Sequence, residues 1–287
     1  INTIATLAYT KDSMSSSNNF IKDTLLMLLG NIPNIMKVMS LSGRLKKRHG
    51  LKKIDLMDVF ISQENLNIVY TTKELQPNSQ SFDDSFKFVG PTAVNRRSRE
   101  TNFPFDRLDG KYVIYISLGT VFNNDVDFYY KCFEALKDMD ICAVLSVGSN
   151  VDTGALKNIP ANFIVMNYIN IPQLEILKRC NLFITHGGMN SIHEGIYYEL
   201  PLISIPQQLD QQLISEQVQK YGNGIYLKPS NVTAQSIRDS VRTIMEDESY
   251  KKNTIKIKES FISSGGYMRA ADEILSFAGK KSGVKIS

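Results

Sequence analysis

Residues 183–211 read Phe183-Ile184-Thr185-His186-Gly187-Gly188-Met189-Asn190-Ser191-Ile192-His193-Glu194-Gly195, then Ile196-Tyr197-Tyr198-Glu199-Leu200-Pro201-Leu202-Ile203-Ser204-Ile205-Pro206-Gln207-Gln208-Leu209-Asp210-Gln211. The stretch predicts one strand, a glycine turn, one helix, a second strand and a polar loop. The short apolar run ending at Thr185 suits a buried parallel strand. Gly187-Gly188 lets the backbone turn where a side chain would clash, and a helix can then begin near Met189.

The first turn of such a helix leaves backbone N–H groups unpaired at the mouth of the turn, with the positive end of the helix dipole behind them, so an anion is favoured there. Asn190 and Ser191 add side-chain donors. His186 falls at the carboxyl end of the strand, the side on which open α/β sheets bind ligands. A charge-assisted bond from it to a phosphate would be worth roughly 1.5–3 kcal/mol. Glu194 shares a helix face with Asn190, one turn on, where a carboxylate can accept from both hydroxyls of a ribose. Asp210 and Gln211 follow the next strand, in position to hydrogen-bond a polyol. Diphosphate, ribose and sugar are thus read in order by one segment, as in a nucleotide-sugar site. A metal held by His186, His193 and Glu194 does not fit, because seven residues set the two histidines nearly two turns apart. His193 faces elsewhere and is read as structural or exposed.

This segment resembles the donor-binding signature of the UDP-glycosyltransferases, most closely their bacterial macrolide-glycosyltransferase-like branch. The matching positions are His186, Asn190, Ser191, Glu194 and the Asp210-Gln211 pair. Pro172-Gln173 resembles the family's Pro-Gln element, Ser117-Leu118-Gly119-Thr120 its first phosphate loop, and Gly265-Gly266-Tyr267 with Ala270-Ala271 its final helix. The resemblance covers roughly residues 85 to 280 and implies a GT-B fold. It also implies donor contacts from Gly119, Thr120, Gln173, Gly188 and Met189. One position departs from the family: Asn170 stands where a Trp or Tyr ordinarily stacks on the nucleobase. Tyr168 takes that role if the strand persists, since residues two apart then point the same way. Uracil and thymine are both left open. By themselves, Thr120 also reads as a helix N-cap, and Gln173 as a first-turn helix residue after a proline.

A chain of 287 residues with 43% hydrophobic and 22% charged residues is ordinary for a globular protein of one or two domains. The net charge of +4 does not call for nucleic acid. Cys132, Cys142 and Cys180 match no zinc spacing and read as free thiols in a reducing compartment. No apolar run is long enough to span a membrane and no secretory signal is visible, so the expectation is cytoplasmic. The opening Ile1-Asn2-Thr3-Ile4 lacks an initiator Met, and with the family resemblance the chain is expected to begin in mid-protein.

Strand and helix patterns alternate from residue 112 onward. Strands are expected at 112–117, 141–147, 163–168, 182–185, 202–205 and 224–227, and helices at 126–137, 173–179, 189–198, 211–221, 234–245, 250–260 and 267–278. That alternation argues an α/β, doubly wound parallel sheet. Earlier, strands are expected at 1–8, 66–71 and 86–89, a helix at 20–29 and a turn at 75–78. Residues 1–90 are expected to be the remainder of an N-terminal Rossmann-like acceptor domain. Residues 91–110 follow as an interdomain linker, 111–264 as the donor-binding domain, and 265–287 as a terminal helix crossing back to the first domain. The basic stretch 41–53 reads as the solvated side of a helix, with an anionic-membrane or nucleic-acid patch as its alternative.

The resemblance implies inverting, metal-independent transfer of a hexose, with glucose suited by Asp210-Gln211, from a UDP-sugar to a hydroxyl of a small lipophilic acceptor. No cofactor is implied beyond that donor. Such chemistry needs a base for the acceptor proton and stabilisation of the departing diphosphate. The second is present. The first is expected upstream of Ile1, because His49 lies in the basic stretch and resembles no catalytic loop. The alternatives are a donor-binding subunit of a split glycosyltransferase, with a separate N-terminal half or a dimer as partner, and a nucleotide-sugar epimerase.

Overall fold

The computed structural model describes residues 1–10, 40–44, 46–48, 50, 64–92, 102–120 and 123–282. The helix expected at 20–29 and the candidate His49 lie outside them. The chain divides into two compact units, Ile1–Val89 with Met268–Ser287, and Gly90–Tyr267.

In the larger unit the strands and helices are β4 (Tyr112–Ser117), α1 (Val126–Leu136), β5 (Ile141–Val147), β6 (Phe163–Asn167), α2 (Gln173–Leu177), β7 (Leu182–Thr185), α3 (Met189–Tyr197), β8 (Leu202–Ser204), α4 (Leu209–Lys220), β9 (Gly224–Tyr226), α5 (Ala234–Glu246) and α6 (Ser249–Ser263). Helix α7 (Gly266–Ser282) begins in this unit and continues in the smaller one. The strands form one parallel sheet in the order β6-β5-β4-β7-β8-β9. All seven residues of β5 and all four of β7 are buried, because helices cover both faces of the sheet.

On one face, Ile237, Val241 and Ile244 of α5 recur at helical spacing and join Phe128, Cys132 and Leu136 of α1 over the sheet. Each such aliphatic side chain contributes about 1.5–3 kcal/mol on burial. A capping box between Thr233 and Ser236 starts α5. On α3, a Cβ at Gly195 would stand 2.7 Å from Leu202 Cδ2, so a glycine there lets the helix lie close on the sheet.

Residues 102–110, within the stretch expected as a linker, are fastened to the larger unit. Phe103 and Leu108 are buried, and Arg107 donates to the carbonyls of Ala161 and Phe163.

The smaller unit has β1 (Asn2–Ile4), β2 (Asn67–Val69) and β3 (Phe86–Phe88) in one parallel sheet, order β1-β2-β3. Gln76, in the expected turn, exchanges two 2.9 Å hydrogen bonds with the backbone of Ala8. From Met268 onward, α7 lays Ala270, Ile274 and Phe277 on Leu66, Ile68 and Val89. Residues 40–44 and 46–48, which overlap the basic stretch, are helical. Among the described residues, no helix is long and apolar enough to cross a membrane.

Candidate functional site

The chain builds its large sheet outward from β4 to β5 and β6, then returns to place β7 on the other side of β4 and continues to β8 and β9. The order reverses between β4 and β7, and a crevice opens at the carboxyl ends of strands at such a switch point. Gly119 follows β4 there and His186 follows β7.

The two loops interlock. Gly119 has φ +79°, and a Cβ on it would stand 2.6 Å from His186 Cε1; a Cβ on Gly188 would run into Nε2 of the same ring. The imidazole therefore lies between two backbones that only glycine allows so close. Gly187, also at φ +79°, turns the chain from β7 into α3. Asn123, 3% exposed, donates to the Gly119 carbonyl at 2.8 Å and pins the β4 loop. Burial holds the His186 pKa below the ordinary histidine value, and Asp210 pulls it back up more weakly. The ring is thus desolvated with a carboxylate near it. An arriving phosphate would favour its protonated form.

Helix α3 starts at Met189 with Gly188 as N-cap, and no side chain caps it. Met189 is buried, Asn190 exposed and Ser191 half-buried, so Asn190 lies on the open side of the first turn. Thr120, next to Gly119, is exposed.

One turn into α3, Glu194 is 2% exposed and accepts from Gln173 Nε2 at 2.5 Å. Gln173 Oε1 in turn accepts from the Tyr115 hydroxyl at 3.2 Å. Gln173 is a first-turn helix residue after Pro172, and it also reaches across from α2 to the α3 carboxylate. Tyr115 went unread in the sequence because, within an apolar strand, it looks like any core aromatic.

Two expectations change. Helix α4 begins at Leu209, two residues before the expected start, so Asp210 joins Gln211 in its first turn and does not stand in a loop. Gln211 is 7% exposed, and its Oε1 accepts from the Gln207 backbone N–H at 2.8 Å, which commits that oxygen to the β8–α4 connection. Asp210 is half-buried. The other change concerns the nucleobase. Strand β6 ends at Asn167, whose side chain accepts from Ile169 N–H and starts a 3-10 turn over Tyr168–Asn170. The strand does not persist, so the parity that would align Tyr168 with Asn170 is lost. Tyr168 is half-buried and Asn170 exposed.

His193 lies on the other side of α3, 3% exposed, edge-on to Phe261 of α6 at 5.3 Å between ring centroids. It is structural. Among the described residues, no three His, Cys, Asp or Glu side chains gather in a way that could hold a metal.

Residues 131–273 match the family described as Erythromycin biosynthesis protein CIII-like, C-terminal domain. The chain is 42% identical over 218 residues to the uncharacterised UDP-glucosyltransferase YojK of Bacillus subtilis (strain 168), covering 76% of this chain and 53% of that protein. It is 37% identical over 231 residues to the NDP-glycosyltransferase YjiC of Bacillus licheniformis, covering 80% of this chain and 58% of that one. It spans about half the length of these relatives. Among solved structures, the glycotransferase of kitacinnamycin superposes with a TM-score of 0.77 at 28% identity, over 94% of this chain and 67% of that one. CalG4, the calicheamicin glycosyltransferase, superposes with a TM-score of 0.73 at 25% identity, over 96% and 67%. The parallel sheets are those of the GT-B glycosyltransferases, and the chain belongs to the UDP-glycosyltransferase family, in its macrolide-glycosyltransferase-like branch.

Proposed function

We propose that this chain carries the donor-binding part of a hexosyltransferase that takes its sugar, glucose best suited, from a UDP-sugar. The supporting observation is the His186 imidazole seated between Gly119 and Gly188 beside the uncapped start of α3, with the buried Glu194 carboxylate one turn further on. In this reading the diphosphate lies against His186, the Met189–Ser191 N–H groups, Asn190 and Thr120. The ribose hydroxyls meet Glu194. Asp210 faces the sugar from the first turn of α4, while Gln211 holds the loop that presents it. Tyr168 and Asn170 border the nucleobase from the turn after β6. The reaction is inverting and metal-independent, with the departing diphosphate stabilised by these donors and the acceptor, a small lipophilic alcohol, deprotonated by a base outside the described residues.

Calorimetric titration with UDP and dTDP tests this, with Glu194→Ala as control. UDP binding that falls about tenfold in the variant, near 1.4 kcal/mol, is the expected result. Absence of binding by a folded chain, or binding indifferent to Glu194, sinks the reading.

A further inference from the structure

We propose that the Tyr115 hydroxyl is a positioning group for the donor ribose, orienting the Gln173 amide so that its NH2 end and not its oxygen meets Glu194. The proposal rests on the reading of Glu194 as the acceptor for the ribose hydroxyls.

An amide side chain has an accepting end and a donating end, and a half-turn about its last bond exchanges them. The donating end of Gln173 lies 2.5 Å from a Glu194 oxygen. The flipped amide would set oxygen against carboxylate at that distance. What holds the other end is the Tyr115 O–H, which donates to Gln173 Oε1 at 3.2 Å. Tyr115 cannot move out of that role. It is fully buried on β4, stacked on Phe183 with ring centroids 5.1 Å apart and planes at 24°. The hydroxyls of Ser117 and Ser146 face its oxygen.

The Ser117 oxygen also accepts from the Gly119 N–H at 3.3 Å. Two buried hydroxyls, of Ser117 and Tyr115, therefore stand between the loop that receives His186 and the amide that holds Glu194. A carboxylate with one oxygen already bonded has its rotation fixed, so two neighbouring ligand hydroxyls meet an acceptor that needs no reorganisation.

The test compares UDP with 2′,3′-dideoxy-UDP, which lacks both ribose hydroxyls, on wild type, Tyr115→Phe, Gln173→Leu and the double variant. Tyr115→Phe keeps the ring and its stacking, and thermal melting checks the fold. Loss of one buried hydrogen bond should weaken UDP binding about 3- to 10-fold in Tyr115→Phe and leave dideoxy-UDP within about twofold. Gln173→Leu should lose the same selectivity, and the double variant should be no worse than Gln173→Leu, because both act through one bond. Equal losses for both ligands, or additive losses in the double variant, overturn the proposal while leaving the nucleotide site standing. A folded wild type that binds UDP no better than dideoxy-UDP, or binds neither, overturns the ribose reading and this inference with it.

Discussion

Two histidines, one just before helix α3 and one within it, both have their pKa lowered by burial, yet their surroundings differ. At the helix mouth, His186 is half-buried between two glycine backbones, with a carboxylate near it and the uncapped helix start beside it. Seven residues on, His193 is sealed against Phe261, and burial pushes its pKa down to about 3. The first environment can change its proton occupancy when an anion arrives. The second penalises any proton at all. One residue type thus stands as a proposed ligand contact on one side and as a core residue against an aromatic ring on the other, and what separates them is access to solvent and charge.

The largest expected effect lies on the buried side. The folded pKa of His193, about 3, is below its ordinary 6.5, so the unfolded chain takes up that proton first. Its contribution to stability is whole above the unfolded pKa and falls as pH drops from about 6.5 toward 3, by about 1.4 kcal/mol per pH unit. Urea unfolding of the larger unit at pH 7 and pH 5 should show His193→Phe retaining about 2 kcal/mol that wild type loses. Equal acid sensitivity in both would mean that His193 is not sealed.

A smaller contrast separates the two glycines around His186. Gly119 sits at φ +79° while Gly188 sits at φ −63°. Gly119→Ala should therefore cost about 1–2 kcal/mol of stability as well as nucleotide binding. Gly188→Ala, with no φ strain but a Cβ that runs into His186 Nε2, should cost less stability than Gly119→Ala and weaken UDP roughly tenfold, 1.4 kcal/mol, by displacing the imidazole. Matching stability losses in the two variants would remove the distinction.

The smallest effect is a fraction of a proton. His186 is held below its ordinary pKa when free and should be raised by a diphosphate, so UDP binding at pH 7 should take up protons and weaken as pH rises. Calorimetry in two buffers of different ionisation heat measures that uptake. It should vanish in His186→Gln and survive in His193→Phe.

The strands and most helices of the larger unit were legible in the sequence because local rules govern them. Apolar runs of four to seven residues between glycine, proline and polar turns make buried parallel strands, and β4, β5 and β7 run over the expected residues. The helix-mouth position of His186 and the register of Glu194 with Asn190 were legible for the same reason, since both follow from spacing along one segment. Legibility failed where a side chain bonds outside its own element. Helix α4 starts at Leu209 with Gln211 turned inward to the Gln207 N–H, and β6 stops where the Asn167 side chain captures Ile169. Neither bond has a sequence signal stronger than ordinary polar residues in a loop.

By itself, then, the sequence determined the alternation that makes a doubly wound sheet, the glycine turn before α3 and the spacing of the residues proposed to meet a diphosphate and a ribose. Only the tertiary structure decided that the loop after β4 closes on His186, that Gln173 and Tyr115 reach Glu194, and that His193 is sealed. Local geometry follows from residue type at fixed spacing. Contacts between residues dozens of positions apart depend on which strands neighbour each other, and the sheet order sets that.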